Sequence, residues 1–233
     1  MIKKFITKSK ILSFPRMLIG LSIQNLISMK NGVIVFYDNE HINNLIKQIK
    51  IEVHFLLGDS EAHQIYMAVK NTGKIVGDIA EVGCYSGGSS KLICEAKGNK
   101  SFYVFDTFEG LPKLTKNDTS KDFEEGSFFA DFDRVKWYLS NYSNVHIYKG
   151  LFPSTSKPIE DKRFSFVHLD VDLYESTLDC LKFFYPRMNK GGVLISHDYA
   201  QLSGVRKAFD EFFKDKQEPI IEMSGTQCLI VKL

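Results

Sequence analysis

From Ser60 onward the chain alternates short apolar runs with stretches whose apolar residues recur at helical spacing. The runs are Asp78 to Val82, Ser101 to Phe105, Val145 to Tyr148, Phe164 to Leu169 and Gly192 to Ser196, with closing runs at Ile220 to Met223 and Cys228 to Lys232. Helices are predicted from Ser60 through Ile65 and Val69, and over Ser89 to Ala96, Ser176 to Met188 and Gly204 to Phe213. Short, near-continuous apolar strands separated by helices mark a mostly parallel sheet covered on both faces, hence a three-layer α/β fold. Thr177, Leu178, Leu181, Phe184 and Tyr185 form one buried helical stripe; Val205, Ala208, Phe209, Phe212 and Phe213 form another. Gly191 and Gly192 are expected to cap the helix ending at Met188 and open the next strand.

Residues 1–58 read differently, as helical segments around one apolar run, Gly32 to Tyr37, and are expected to form a cap on a domain spanning 59–233. The start of the chain is broken by Lys8, Lys10, Pro15 and Arg16, so neither a transmembrane helix nor a signal peptide is expected. Lys3, Lys4, Lys8 and Lys10 are able to lie on an anionic membrane surface. The competing reading is a helix packed on the domain or on a second copy in a homodimer.

With 30 Lys and Arg against 28 Asp and Glu, the chain has no dominant field with which to capture nucleic acid, which is not expected as a partner. The four cysteines form no CxxC pair and no disulfide framework, so a reducing, cytoplasmic setting is expected.

The candidate chemistry starts at Ile79 to Ser90 (IAEVGCYSGGSS), an apolar strand entering a glycine-rich turn and then a helix. Gly83, Gly87 and Gly88 permit close backbone approach, and the new helix offers unpaired N–H groups. Such a turn is a plain connection, a dinucleotide site, or a turn holding the amino acid end of S-adenosylmethionine. The dinucleotide frame puts Tyr85 where its second glycine must admit phosphates, and Glu81 would repel a diphosphate but suits an ammonium. These features favour S-adenosylmethionine over a nicotinamide cofactor. Asp106 ends the next strand, 25 residues beyond Glu81, where an acidic side chain can accept ribose hydroxyls. Asp170 and Asp172 follow the fourth run, and His197 and Asp198 follow the fifth. The carboxyl ends of neighbouring strands form the ligand crevice of an open α/β sheet, so these four converge as candidates for a divalent cation or a general base. Helix capping by Asp172 and a loop hydrogen bond from His197 are the simpler alternatives.

The turn EVGCYSGG from Glu81, the run FDTFEGLP over 105–112, LDVDLYEST over 169–177 and GGVLISHDY over 191–199 together resemble the macrocin, mycinamicin and novobiocin sugar O-methyltransferases. The resemblance covers roughly residues 60 to 215 in consistent order. It implies a Rossmann-like class I methyltransferase sheet of seven strands with the last antiparallel, S-adenosyl-L-methionine as methyl donor, and an aspartate-bound magnesium ion that orients a sugar hydroxyl. Carried onto matching positions, it implies Asp170 as metal ligand and candidate base and Asp198 as a second ligand. Glu81, Gly83, Tyr85, Gly87, Ser89, Asp106, Thr107, Gly150, Phe152 and Asp170 are then the expected cofactor contacts. The family commonly has two adjacent aspartates before the tyrosine; here the first is His197, a softer ligand that magnesium disfavours. Without the metal, His197 could itself take the proton. The expected substrate is a small molecule or glycan bearing a sugar hydroxyl, and the alternative is a noncatalytic cofactor-binding or assembly protein. Lys113 to Trp137, long and rich in charges and aromatics, reads either as a mobile cover over the crevice or as a surface helix with a flexible approach.

Overall fold

The apolar runs pair into one seven-stranded sheet in the computed structural model, which describes residues 39–118 and 123–233. The strands are β1 (Asp78–Val82), β2 (Phe102–Asp106), β3 (Val145–Lys149), β4 (Phe164–Leu169), β5 (Met188–Ser196), β6 (Ile221–Glu222) and β7 (Cys228–Val231). Their order is β3-β2-β1-β4-β5-β7-β6. All pairs from β3 to β5 are parallel, and β7 runs antiparallel to both β5 and β6. This is the seven-stranded, mostly parallel sheet with an antiparallel last strand.

Among the described residues six α-helices accompany it: α1 (Glu40–Glu52), α2 (Asp59–Asn71), α3 (Gly88–Ala96), α4 (Phe132–Tyr138), α5 (Tyr174–Phe184) and α6 (Ser203–Phe213). Alternation along the strands separates the two apolar layers. Ala80, Val82, Val167 and Leu169 face Leu181 and Phe184 of α5 and Phe209 of α6. Ile79, Val104, Phe166 and Ile195 face Ile65 of α2, Ile93 of α3 and Val135 of α4. α1 buries Ile42, Leu45, Ile46 and Ile49, at helical spacing, against Ala62 and Tyr66 of α2 and Leu92 of α3. Residues from Glu40 to Leu233 form one contact unit. The run Gly32 to Tyr37 and the N-terminal lysines lie outside the described residues, and no helix among those described is long and apolar enough to cross a membrane.

The structure differs from the sequence expectation around Pro186. α5 stops at Phe184 and a single 3₁₀ turn, Tyr185–Arg187, leads straight into β5 at Met188. Proline has no N–H to continue the helix. Gly191 and Gly192 therefore do not cap a helix. They lie inside β5, where the register with β4 breaks between Phe164 and Phe166, and they pair instead with Lys232.

Candidate active site

The order of strands reverses direction between β1 and β4, and at such a switch point the loops leaving the carboxyl ends separate and open a crevice. The parallel ladder continues one residue past each strand and fixes the backbone there. Gly83 N–H donates to Phe105 O at 2.8 Å, Gly150 N–H to Asp106 O at 2.9 Å, Asp170 N–H to Val82 O at 2.9 Å, and His197 N–H to Leu169 O at 2.9 Å. A cavity of about 330 Å³ opens above these four residues, within the range of small-molecule sites.

Of the expected cofactor contacts, Gly83, Tyr85, Asp106, Thr107, Gly150, Phe152 and Asp170 line this cavity, as do His197 and Asp198. Gly83 has φ +84, and a Cβ on it would collide with the carbonyl oxygen of Asp170, so the turn passes as close to β4 as a backbone allows. Tyr85 also takes positive φ, uncommon for a bulky residue, which aims its ring at the cavity beside Phe128 and places its hydroxyl 3.0 Å from His54 Nδ1. Asp106 ties the turn to β2: its Oδ2 accepts from the N–H groups of Cys84 and Tyr85 at 2.9 Å, and its Oδ1 from Phe108 N–H at 2.7 Å. Burial raises the Asp106 carboxyl above its ordinary range, against the pull of these three bonds.

Three expected contacts are elsewhere. Glu81 is fully buried, hydrogen-bonded by Ser90 Oγ and 2.9 Å from Nδ1 of His168, its register partner on β4. This carboxylate lies on the α3 side of the sheet, with its oxygens turned to Ser90 and His168. Gly87 takes left-handed backbone to cap α3, with Val135 and Tyr138 against it, and Ser89 is buried in the first turn of that helix. None of the three lines the cavity.

Chemistry concentrates around His197. Its Nδ1 lies 2.8 Å from Asp198 Oδ2 and 3.3 Å from Asp170 Oδ1, while its Nε2 lies 3.5 Å from Glu61 Oε2. Burial alone would lower the imidazole, but the charge of Asp170 and the contacts with Asp170, Asp198 and Glu61 outweigh it and hold the ring far above its ordinary range. Glu61 is brought down to about 2: burial opposes this, and His197 together with the N–H groups of Thr226 and Gly58 overcomes it. Asp170 is lowered, again against burial, chiefly by the charge of His197. Asp172 is pushed well above its usual range by burial and then by Asp170 and Asp198. The site therefore pushes neighbouring carboxyl groups in opposite directions. Asp170, His197 and Asp198 each offer a donor atom, all within 4.8 Å of one another, a set that fits a divalent ion.

Sequence reasoning missed Glu61. Three residues after Gly58 and in the first turn of α2, it reads as a capping residue, and its Oε2 does accept from Gly58 N–H at 2.8 Å. Nothing in the local pattern marks its second contact with a histidine far along the chain. Of the aromatic and apolar walls, Phe123 and Phe128 lie in the segment read as a cover or a surface helix, whereas Leu56 was without a signal.

Residues 54–229 match the macrocin-O-methyltransferase (TylF) family. The chain belongs to the macrocin-O-methyltransferase family. This family member is 30% identical over 169 residues to 8-demethyl-8-(2,3-dimethoxy-alpha-L-rhamnosyl)-tetracenomycin-C 4'-O-methyltransferase of Streptomyces olivaceus, a stretch covering 65% of this chain and 64% of that protein. The chain thus spans just under two thirds of that relative's length. It is 25% identical over 190 residues to demethyldecarbamoylnovobiocin O-methyltransferase of Streptomyces niveus, covering 74% of this chain and 72% of that one. Among solved structures, the O-methyltransferase NovP superposes with a TM-score of 0.66 at 23% identity, over 77% of this chain and 82% of that chain. That likeness carries the fold, a Rossmann-like methyltransferase sheet, to this macrocin-O-methyltransferase family member.

Proposed function

We propose that this chain transfers a methyl group from S-adenosylmethionine to a hydroxyl of a sugar or sugar-bearing metabolite. The observation that carries the reading is the placement of Asp170, a quarter exposed, at the cavity wall directly against the Gly83 turn. Family membership supports it, and the curated relatives named above are O-methyltransferases of glycosylated natural products.

The residues fit the donor. The Gly83 and Tyr85 turn, which no Cβ at residue 83 would permit, suits the methionine end; Asp106 and Thr107 suit the ribose; Gly150 and Phe152 suit the base. When bound there, S-adenosylmethionine supplies an electrophilic methyl carbon on a sulfonium. Asp170 then accepts the acceptor's hydroxyl proton as the oxygen bonds to that carbon and the carbon–sulfur bond breaks, so the thioether leaves neutral. Alignment and exclusion of water by Tyr85, Phe128 and Leu151 supply much of the rate. In this reading His197 is not the base, because both of its ring nitrogens already face carboxylates. A divalent ion held by Asp170, His197 and Asp198 would supply Lewis acidity toward the acceptor oxygen.

Residues up to 58 are proposed as the acceptor-side cap, a reading supported by Leu56 at the cavity wall. Four buried free cysteines support a reducing, cytoplasmic setting. Contact of the N-terminal lysines with a membrane, and a homodimer, stay proposals from the sequence. The test is transfer of isotopically labelled methyl from S-adenosylmethionine to a panel of nucleotide sugars and rhamnosylated aglycones. Label in at least one acceptor, lost in Asp170→Asn, supports the reading; cofactor binding without transfer to any of them contradicts it.

A further inference from the structure

The connection between α1 and α2, residues 53–58, alternates in burial. Val53 and Leu57 are buried and Phe55 is half-buried, whereas His54 and Leu56 are exposed. The inward side chains hold the connection down: Phe55 occupies the space a Cβ on Gly88 would need, and Leu57 enters the apolar layer of α2 and α3. Its ends are held as well. Glu52 Oε2 accepts from Lys91 Nζ at 2.6 Å and from Tyr138 Oη at 2.7 Å, and Gly58 N–H donates to Glu61 Oε2 at 2.8 Å. The outward pair is therefore presented from a fixed backbone, Leu56 to the cavity wall and His54 to the hydroxyl of Tyr85.

Tyr85 is the bulky member of the glycine turn, and its φ of +48 is uncommon for such a residue. Its N–H donates to Asp106 Oδ2 at 2.9 Å, which fixes the backbone but not the torsions of the ring. The ring stands edge-on between His54 and Phe128, with centroids at 5.7 and 6.1 Å, and its hydroxyl lies 3.0 Å from His54 Nδ1. A phenol hydroxyl both donates and accepts, so either tautomer of the imidazole makes this bond. Tyr85 is thus held at both ends by different elements, its main chain by β2 and its hydroxyl by the α1–α2 connection.

We propose that His54 is a positioning residue for the methyl-donor pocket, holding the Tyr85 ring at the cavity wall before the donor arrives. The proposal rests on the donor reading above. A ring ordered in advance spares the donor the loss of rotamer freedom that binding would otherwise have to offset.

Calorimetric titration of the full chain with S-adenosylhomocysteine tests it. His54→Ala and Tyr85→Phe should each weaken binding roughly 3- to 10-fold, the range of one hydrogen bond and one ordered side chain. The double variant should lose no more than the weaker single variant, because both changes break the same bond. His54→Asn, whose amide puts a polar atom where Nδ1 stands, should recover most of the affinity, whereas His54→Gln, which carries its amide farther out, should not. Urea midpoints should stay at the wild-type value, since His54 is an exposed loop residue. Affinity of His54→Ala within about twofold of wild type, losses that multiply in the double variant, or equal behaviour of the Asn and Gln variants overturns the proposal. Nitrogen NMR of the ligand-free chain tests the bond itself, since the His54 Nδ1 resonance should move in Tyr85→Phe. An unmoved resonance sinks the positioning role alone; a folded wild-type chain that binds no S-adenosylhomocysteine sinks the donor reading.

Discussion

Gly83 and Asp170 are in backbone contact: the turn after β1 has no room for a side chain because the carbonyl of Asp170 occupies that space. The contact joins the glycine turn to the proposed proton acceptor, so a displacement of either moves both. Gly83→Ala must therefore shift main chain, and residue 83 also holds a φ of +84 that an L side chain rarely adopts. The variant should lose at least about 2 kcal/mol of stability. Urea unfolding measures that, and calorimetry should show S-adenosylhomocysteine binding lost in the fraction that folds.

Asp170→Asn keeps the shape of the side chain and removes the proton acceptor. Turnover should fall roughly 100- to 10,000-fold, the usual contribution of a positioned base, with cofactor affinity nearly unchanged. Stopped assays of methyl transfer beside cofactor titration separate the two. A parallel loss of both would place Asp170 in binding instead.

Asp118 ties the segment after β2 to α5. Asp118 Oδ1 accepts from Tyr174 N–H at 2.7 Å, capping α5 from outside, while its Oδ2 accepts from the N–H and hydroxyl of Thr115 at 2.8 Å. Asp118→Ala should cost about 1 kcal/mol, in line with other lost caps. Because the same segment carries Leu111 and Pro112 at the cavity wall, KM for the acceptor should rise more than kcat falls. Thermal melts and steady-state kinetics check both halves.

Acid sensitivity should follow Glu218. Its carboxylate meets Lys232 Nζ at 2.5 Å and accepts from Tyr185 Oη at 2.8 Å; burial opposes ionisation, but these partners bring it down to about 2. A carboxyl group lowered on folding contributes stability that is present above its ordinary value of 4.5 and is lost as pH falls toward about 2. The urea midpoint of the wild type should therefore drop through this window, and Glu218→Gln should be less stable at neutral pH with a shallower acid decline.

Much of this was legible in the sequence wherever one local pattern carried the information. The aromatic stripe of α6 and the apolar runs of β1 and β4 were placed from periodicity alone. Asp106, Asp170, His197 and Asp198 could be grouped because each follows a strand whose end lies at the crevice. Glu81 does not line the cavity because residues alternate across a strand, and its face of β1 turns toward Ser90 and His168 instead of the opening. The glycines at 191 and 192 were misread because a helix cap and a bulged strand use the same residue type. Glu61 was invisible because its partner is 136 residues away, and only the folded sheet brings α2 beside the end of β5.

The central claim is that the crevice above β1 and β2 is a methyl-donor site, and calorimetric titration with S-adenosylhomocysteine tests it most directly. The wild-type chain should bind one molecule saturably. Asp106→Ala, which leaves the N–H groups of Cys84, Tyr85 and Phe108 without their acceptor, should bind far more weakly while remaining folded. Absence of binding by a folded wild-type chain, or equal binding by the variant, would contradict the account.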